Sequence, residues 1–84
     1  MKFTVTWTTE AENTLCELFM AISEPGEFSR LVNEIERELG RNPEHVGESR
    51  NGQLRVVMQD HVGILFEINA VDRTVNVIHI GWLK

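Results

Sequence analysis

The chain is poor in cysteine, in cations and in long apolar runs. One cysteine, Cys16, occurs in 84 residues, which excludes an internal disulfide framework and any multi-cysteine zinc site. No apolar stretch approaches the roughly 20 residues that span a bilayer. The opening Met1-Lys2-Phe3-Thr4-Val5-Thr6 alternates apolar with polar residues and lacks the continuous apolar run of a signal peptide. The expectation is a cytoplasmic protein with no membrane association. Eight Lys and Arg stand against thirteen Asp and Glu, a net charge of −5. Affinity for nucleic acid rests on cations that neutralise phosphates, so this balance argues against general DNA or RNA binding, though not against a small basic patch. The acidity is equally consistent with solubility alone. Internal repeats, linkers, Gly-rich phosphate loops and nucleophile elbows are all missing. His45, His61 and His79 lack ligand spacing, so neither a metal nor a cofactor is expected.

What is present is 42% apolar and 25% charged, the composition of a globular protein. The length suits one domain over residues 1–84, with a thin stability margin. Residues 2–7 alternate, with Phe3, Val5 and Trp7 on one face, as a half-buried strand requires. Thr9-Glu10-Ala11-Glu12 fits a capping box. Ala11, Leu15, Leu18 and Ile22 follow at helical spacing, and Pro25-Gly26 stops that helix near Ser23. A second helix carries Phe28, Leu31, Val32, Ile35 and Leu39 as one apolar stripe. On its exposed side Arg30 and Glu34 are spaced to pair, Gly40 suits a left-handed cap, and Asn42-Pro43 blocks extension.

Residues 43–52 are polar and read as a loop. Three strands follow, Leu54 to Gln59, Gly63 to Asn69 and Thr74 to Gly81, and their short connections imply antiparallel hairpins. Both faces of the last strand are apolar, which suits a central strand or one covered by a partner. The expected architecture is α+β, β-α-α-β-β-β, with a four-stranded antiparallel sheet packed against a helical hairpin. Phe3, Val5, Leu15, Leu18, Phe28, Leu31, Val32, Ile35 and Phe66 are the expected core.

That order, at this length, resembles the RelE/ParE toxin superfamily of bacterial type II toxin–antitoxin modules. Val5-Thr6-Trp7-Thr8-Thr9-Glu10-Ala11 is similar to the family's opening, an aromatic residue, Ser or Thr, and Glu-Ala at the helix start. Leu39 with Asn42-Pro43 resembles its break after the second helix. Gly52-Gln53-Leu54-Arg55-Val56 and Gly63-Ile64-Leu65-Phe66-Glu67-Ile68 resemble its Gly-x-aromatic-Arg-Val and Arg-Val-Leu-Tyr-x-Ile segments. The resemblance implies a toxin neutralised by a cognate antitoxin, with DNA gyrase or the ribosome as target; pairing of two copies stays open. Members that cut messenger RNA do so without metal, through attack of a ribose 2′-hydroxyl on the adjacent phosphate. Such a site needs a proton acceptor, a proton donor and cations.

Carried over residue by residue, that catalytic set is thin. Arg55 falls where a basic residue of the first meander strand is expected, but Val57 and Gly63 occupy two other basic positions. The last lies within Gly81-Trp82-Leu83, leaving Lys84. The candidate catalytic residues are therefore Arg55 to hold phosphate, with His79 or Lys84 for proton transfer or charge stabilisation. Each has a plainer reading: Arg55 as an outward residue paired with Glu67, and His79 as a partly buried histidine if it shares the Val75/Val77 face. Arg41, Arg50, Arg55 and Lys84 can gather as a basic patch, or lie dispersed. Trp82 can stack a base, anchor an antitoxin or close the core beneath Trp7, while Cys16 reads as inert packing. The missing cations favour a toxin acting by protein binding. The alternatives are a non-catalytic interaction domain on the toxin fold and a ribosome-dependent endoribonuclease with a reduced basic site.

Overall fold

The computed structural model describes residues 2–83. It orders them as β1 (Thr4–Trp7), α1 (Thr9–Ala21), α2 (Pro25–Arg41), a 3-10 turn (Pro43–His45), β2 (Glu48–Asn51), β3 (Leu54–Gln59), β4 (Val62–Asn69) and β5 (Thr74–Trp82). The strands form one sheet in the order β1-β5-β4-β3-β2, and the helices pack on one of its faces. This is the expected α+β arrangement, with two additions. Glu48–Asn51 is a fifth strand, antiparallel to β3, although all four of its residues are exposed. A polar edge strand has no apolar alternation to announce it. The sheet is also mixed, because β1 runs parallel to β5. The connection that a parallel pair demands runs here through both helices, the 3-10 turn and β2 to β4 before reaching β5, and local periodicity carries no information about that pairing.

Both helix starts follow from their residues. Thr8, one position before the expected cap, accepts the Ala11 amide on its hydroxyl at 3.0 Å, and Pro25 opens α2, where its missing N–H costs nothing. Arg30 and Glu34 pair at 2.8 Å as their spacing implies. Gly40 is not a left-handed cap but lies inside α2. Its carbonyl accepts the Phe3 amide at 2.8 Å, and a Cβ there would stand 3.6 Å from the Phe3 carbonyl. A small residue lets the end of α2 sit against the start of β1.

The core joins Phe28, Leu31, Val32, Ile35 and Leu39 of α2 to Val57, Val62, Ile64, Phe66, Ile68, Val75, Val77 and Ile80 of the sheet. Ala11 is the one buried residue of α1; Phe3, Val5, Leu15 and Leu18 are half-buried against the same cluster. Trp82 meets Phe28 edge to face, with ring centroids 5.5 Å apart, and so closes the core beside Phe28. A bulge decides which side chains β5 sends inward. Leu65 faces His79 and Phe66 faces Val77, which leaves Ile78 without a counterpart. Alternation resets there: Val75, Val77 and Ile80 are buried, whereas His79 is exposed. The histidine does not share the Val75/Val77 face.

Candidate functional site

The sheet face away from the helices is open. It carries Leu54, Val56 and Met58 of β3, Leu65 and Glu67 of β4, and Asn76, Ile78 and His79 of β5. Met58 folds over Gly63, where a Cβ would come within 2.7 Å of its sulfur. Thr6 of β1 bonds to Asn76 across the parallel pair at 3.0 Å. None of β1, β3, β4 and β5 places a Lys or Arg on this face. His79, opposite Leu65, is its one imidazole, and its side chain makes no hydrogen bond among the described residues.

Arg55 stands on the other face. Its register partner Phe66 is buried, and its neighbour two residues on, Val57, belongs to the core. The guanidinium donates from Nε to the Val46 carbonyl at 3.0 Å and from Nη2 to the Gly47 carbonyl at 2.9 Å. Glu67 is not its partner, being opposite Leu54 and Asn76. Arg55 thereby fastens the segment after the 3-10 turn to β3. Gly47 completes that junction, with φ +68° and a bare α-carbon against the Val56 carbonyl, where a Cβ would overlap. The structure thus separates Arg55 and His79 by the thickness of the sheet; Lys84 lies outside the described residues.

Arg41, Arg50 and Arg55 do not gather. Arg50 is the bulge residue of edge strand β2. Arg41 pairs with Glu38 at 3.2 Å and lines a polar hollow of about 650 Å³ with Lys2 and Arg73, beside Phe3 and Glu44. Lys2 and Arg73 make no ion pair among the described residues. Nor, among those residues, do three or more His, Cys, Asp or Glu side chains gather as metal ligands, and no helix is long and apolar enough to cross a membrane. His45 bonds to Asn42 at 2.9 Å, and His61 lies edge-on to Trp82, 5.6 Å between ring centres.

The second concave feature is apolar. A groove of about 480 Å³ between α1 and α2 is walled by Trp7, Leu15, Phe19, Phe28 and Val32, with Glu12 and Glu36 at its rim. Phe19 and Met20 are 48% and 84% exposed beside it, and Cys16 opens into it. Sequence reasoning overlooked both groove and hollow. The available signal was Phe19 and Met20, large apolar residues off the Ala11/Leu15/Leu18/Ile22 stripe.

No protein-family model and no curated protein matches the chain. Solved structures do. The toxin–antitoxin complex RelBE2 from Mycobacterium tuberculosis is 21% identical, with a TM-score of 0.81 over 98% of this chain and 92% of that one. The chromosomal ParDE toxin–antitoxin system from P. aeruginosa is 14% identical, with a TM-score of 0.69 over 99% and 98%. The archaeal RelE–RelB complex from Pyrococcus horikoshii OT3 is 13% identical, with a TM-score of 0.66 over 98% and 96%. The chain has the RelE/ParE toxin fold.

Proposed function

We propose that this protein is the toxin-side member of a cytoplasmic two-protein module, neutralised by a cognate antitoxin and acting by binding a protein rather than by cutting RNA. The fold supports the module reading, since the matched structures are of toxin–antitoxin assemblies. One observation carries the mode of action. Among the described residues, β1, β3, β4 and β5 offer the open face a single imidazole and no ammonium or guanidinium group, the nearest being Arg50 on the edge strand beside Val56 and Met58, while Arg55 is committed to two backbone carbonyls on the opposite face. Attack of a 2′-hydroxyl on phosphate leaves charge that such a face does not stabilise. Loss of one positioned electrostatic donor costs on the order of 10²–10³ in rate. The same face, with Val56, Leu65 and Ile78 at its centre, has the apolar character of a protein-contact surface. DNA gyrase is the target class to test first.

The test is expression without the antitoxin, with mapping of messenger RNA ends on ribosomes, for the wild type, His79→Ala and Arg55→Ala. Growth arrest with intact messages is expected. Efficient cleavage by the wild type, lost in either variant, overturns the proposal. Unimpaired growth with intact messages removes the toxin role and leaves a binding domain on a toxin fold.

A further inference from the structure

The two edges of the sheet end differently. At β1, two of the four residues are half-buried, and just before the strand the Phe3 amide is donated to the Gly40 carbonyl of α2 at 2.8 Å. β2 packs along β3, and all four of its residues are exposed. An exposed edge is a template for another strand unless charge, a bulge or a covering element blunts it. β2 has both charge and a bulge, so their placement decides what the edge can accept.

The main chain comes first. Hydrogen-bonded and non-bonded pairs alternate along an antiparallel ladder. The Ile68 amide donates to the Gln53 carbonyl at 3.1 Å, so Arg55 bonds with its partner Phe66 while Leu54 and Val56 turn their peptide groups toward β2. Val56 therefore bonds with Glu48, its register partner. Ser49, one residue on, directs its N–H and C=O out of the sheet. The bulge begins only at Arg50, which leaves Glu48 and Ser49 as regular strand.

The side chains follow. Glu48 and Arg50 border a shallow hollow with Val56 and Met58, and neither side chain makes an ion pair or hydrogen bond among the described residues. A run of one sign would repel its own copy, since like charges directly opposite are destabilising. Opposite signs on either side of Ser49 are instead self-complementary in an antiparallel pair. We infer that β2 pairs antiparallel with β2 of a second copy about a twofold axis at Ser49. The two Ser49 residues exchange N–H···O=C bonds on the axis, and Glu48 stands opposite Arg50 of the partner subunit, twice by symmetry. This edge is neutral and adds nothing to the repulsion between chains of net charge −5, whereas α1, with Glu10, Glu12 and Glu17 and no basic residue, would increase it. Two five-stranded sheets become continuous, with their open faces side by side. The contact is small, so the association is weak and concentration-dependent. It does not depend on the module reading.

Sedimentation velocity on the full chain, up to about 1 mM to capture a weak dimer, tests this with exchanged charges. The wild type is expected to dimerise. Glu48→Arg and Arg50→Glu, each of which sets like charges opposite one another, should do so about tenfold or more weakly, with unchanged urea midpoints because both positions are exposed. An equimolar mixture of the two should recover the wild-type association, each chain supplying the charges that the other lacks, and the double exchange Glu48→Arg/Arg50→Glu should match the wild type. Ser49→Pro removes the outward amide, a change that edge strands tolerate, and is expected to abolish the dimer. A wild type that stays monomeric overturns the inference and leaves the edge to a strand of a different protein. Single variants that associate like the wild type, a mixture no better than its components, or a dimer that survives Ser49→Pro overturn it equally.

Discussion

The two helices of the hairpin have different duties. α2 buries five of its seventeen residues, whereas α1 buries one of thirteen. α2 has a stripe that meets the sheet along its whole length, and its opposite side is charged and paired. α1 lies over β5 with Ala11 alone sealed, and its larger apolar residues, Leu15, Phe19 and Met20, turn toward the groove. α1 half-buries Leu15, Leu18 and Ile22 against the core but leaves Phe19 and Met20 uncovered, so it contributes less apolar burial than α2. The difference separates positions sealed in the core from large apolar positions left at the surface.

That contrast can be broken at four places. The largest effect is expected at Phe28, fully buried on α2 and edge-on to Trp82. Phe28→Ala should cost about 3–5 kcal/mol, a large share of the roughly 5–15 kcal/mol of an ordinary domain. Urea unfolding would show it as a collapsed midpoint. Next is Gly47→Ala, where the new Cβ meets the Val56 carbonyl at a positive φ; about 1–3 kcal/mol is expected from overpacking of this kind. A midpoint unchanged by that substitution would refute the tight junction beside Arg55.

Thr8→Ala removes the cap of α1 and should cost about 1 kcal/mol. Because α1 has little burial to fall back on, hydrogen exchange should quicken across Thr9–Ala21 before it does in α2. Protection lost equally in both helices would count against the division. Smallest of all, Phe19→Ser with Met20→Ser should leave stability within about 0.5 kcal/mol, yet weaken antitoxin binding in a pull-down. A loss of stability comparable to Phe28→Ala would mean that α1 is part of the core after all.

Much of this was readable from residue order. The stripe of α2, the strand pattern of residues 54–80 and the halt at Asn42-Pro43 follow from spacing alone, and they place most of the core. Three features had no local signature. Glu48–Asn51 is a strand only because β3 offers an edge to pair with. β1 finds β5 across about seventy residues of intervening chain, a contact that no window of sequence contains. The bulge at Ile78 turns His79 outward, where simple alternation would keep it with Val75 and Val77. The site suffered for related reasons. In β3 both alternating sets contain apolar residues, so the pattern could not assign Arg55 to a face; burial of Val57 and Phe66 does. The hollow brings together residues 2, 41 and 73, which only the closed sheet makes neighbours.

The parallel pairing of β1 with β5 also sets an order in time. α2 can form from contacts close in sequence, and β3 to β5 can meet through short turns, but β1 must wait for a strand that begins at Thr74. Pairings so distant close late, because the chain loses its freedom before the contact returns any stability. Pulse-labelling during refolding would register this as late protection of the Thr4 and Thr8 amides, which donate to Arg73 and Val77. Until that moment Trp7 has no fixed place, and the groove it walls does not exist. A nascent chain thus lacks this groove until nearly all of its described length has been made.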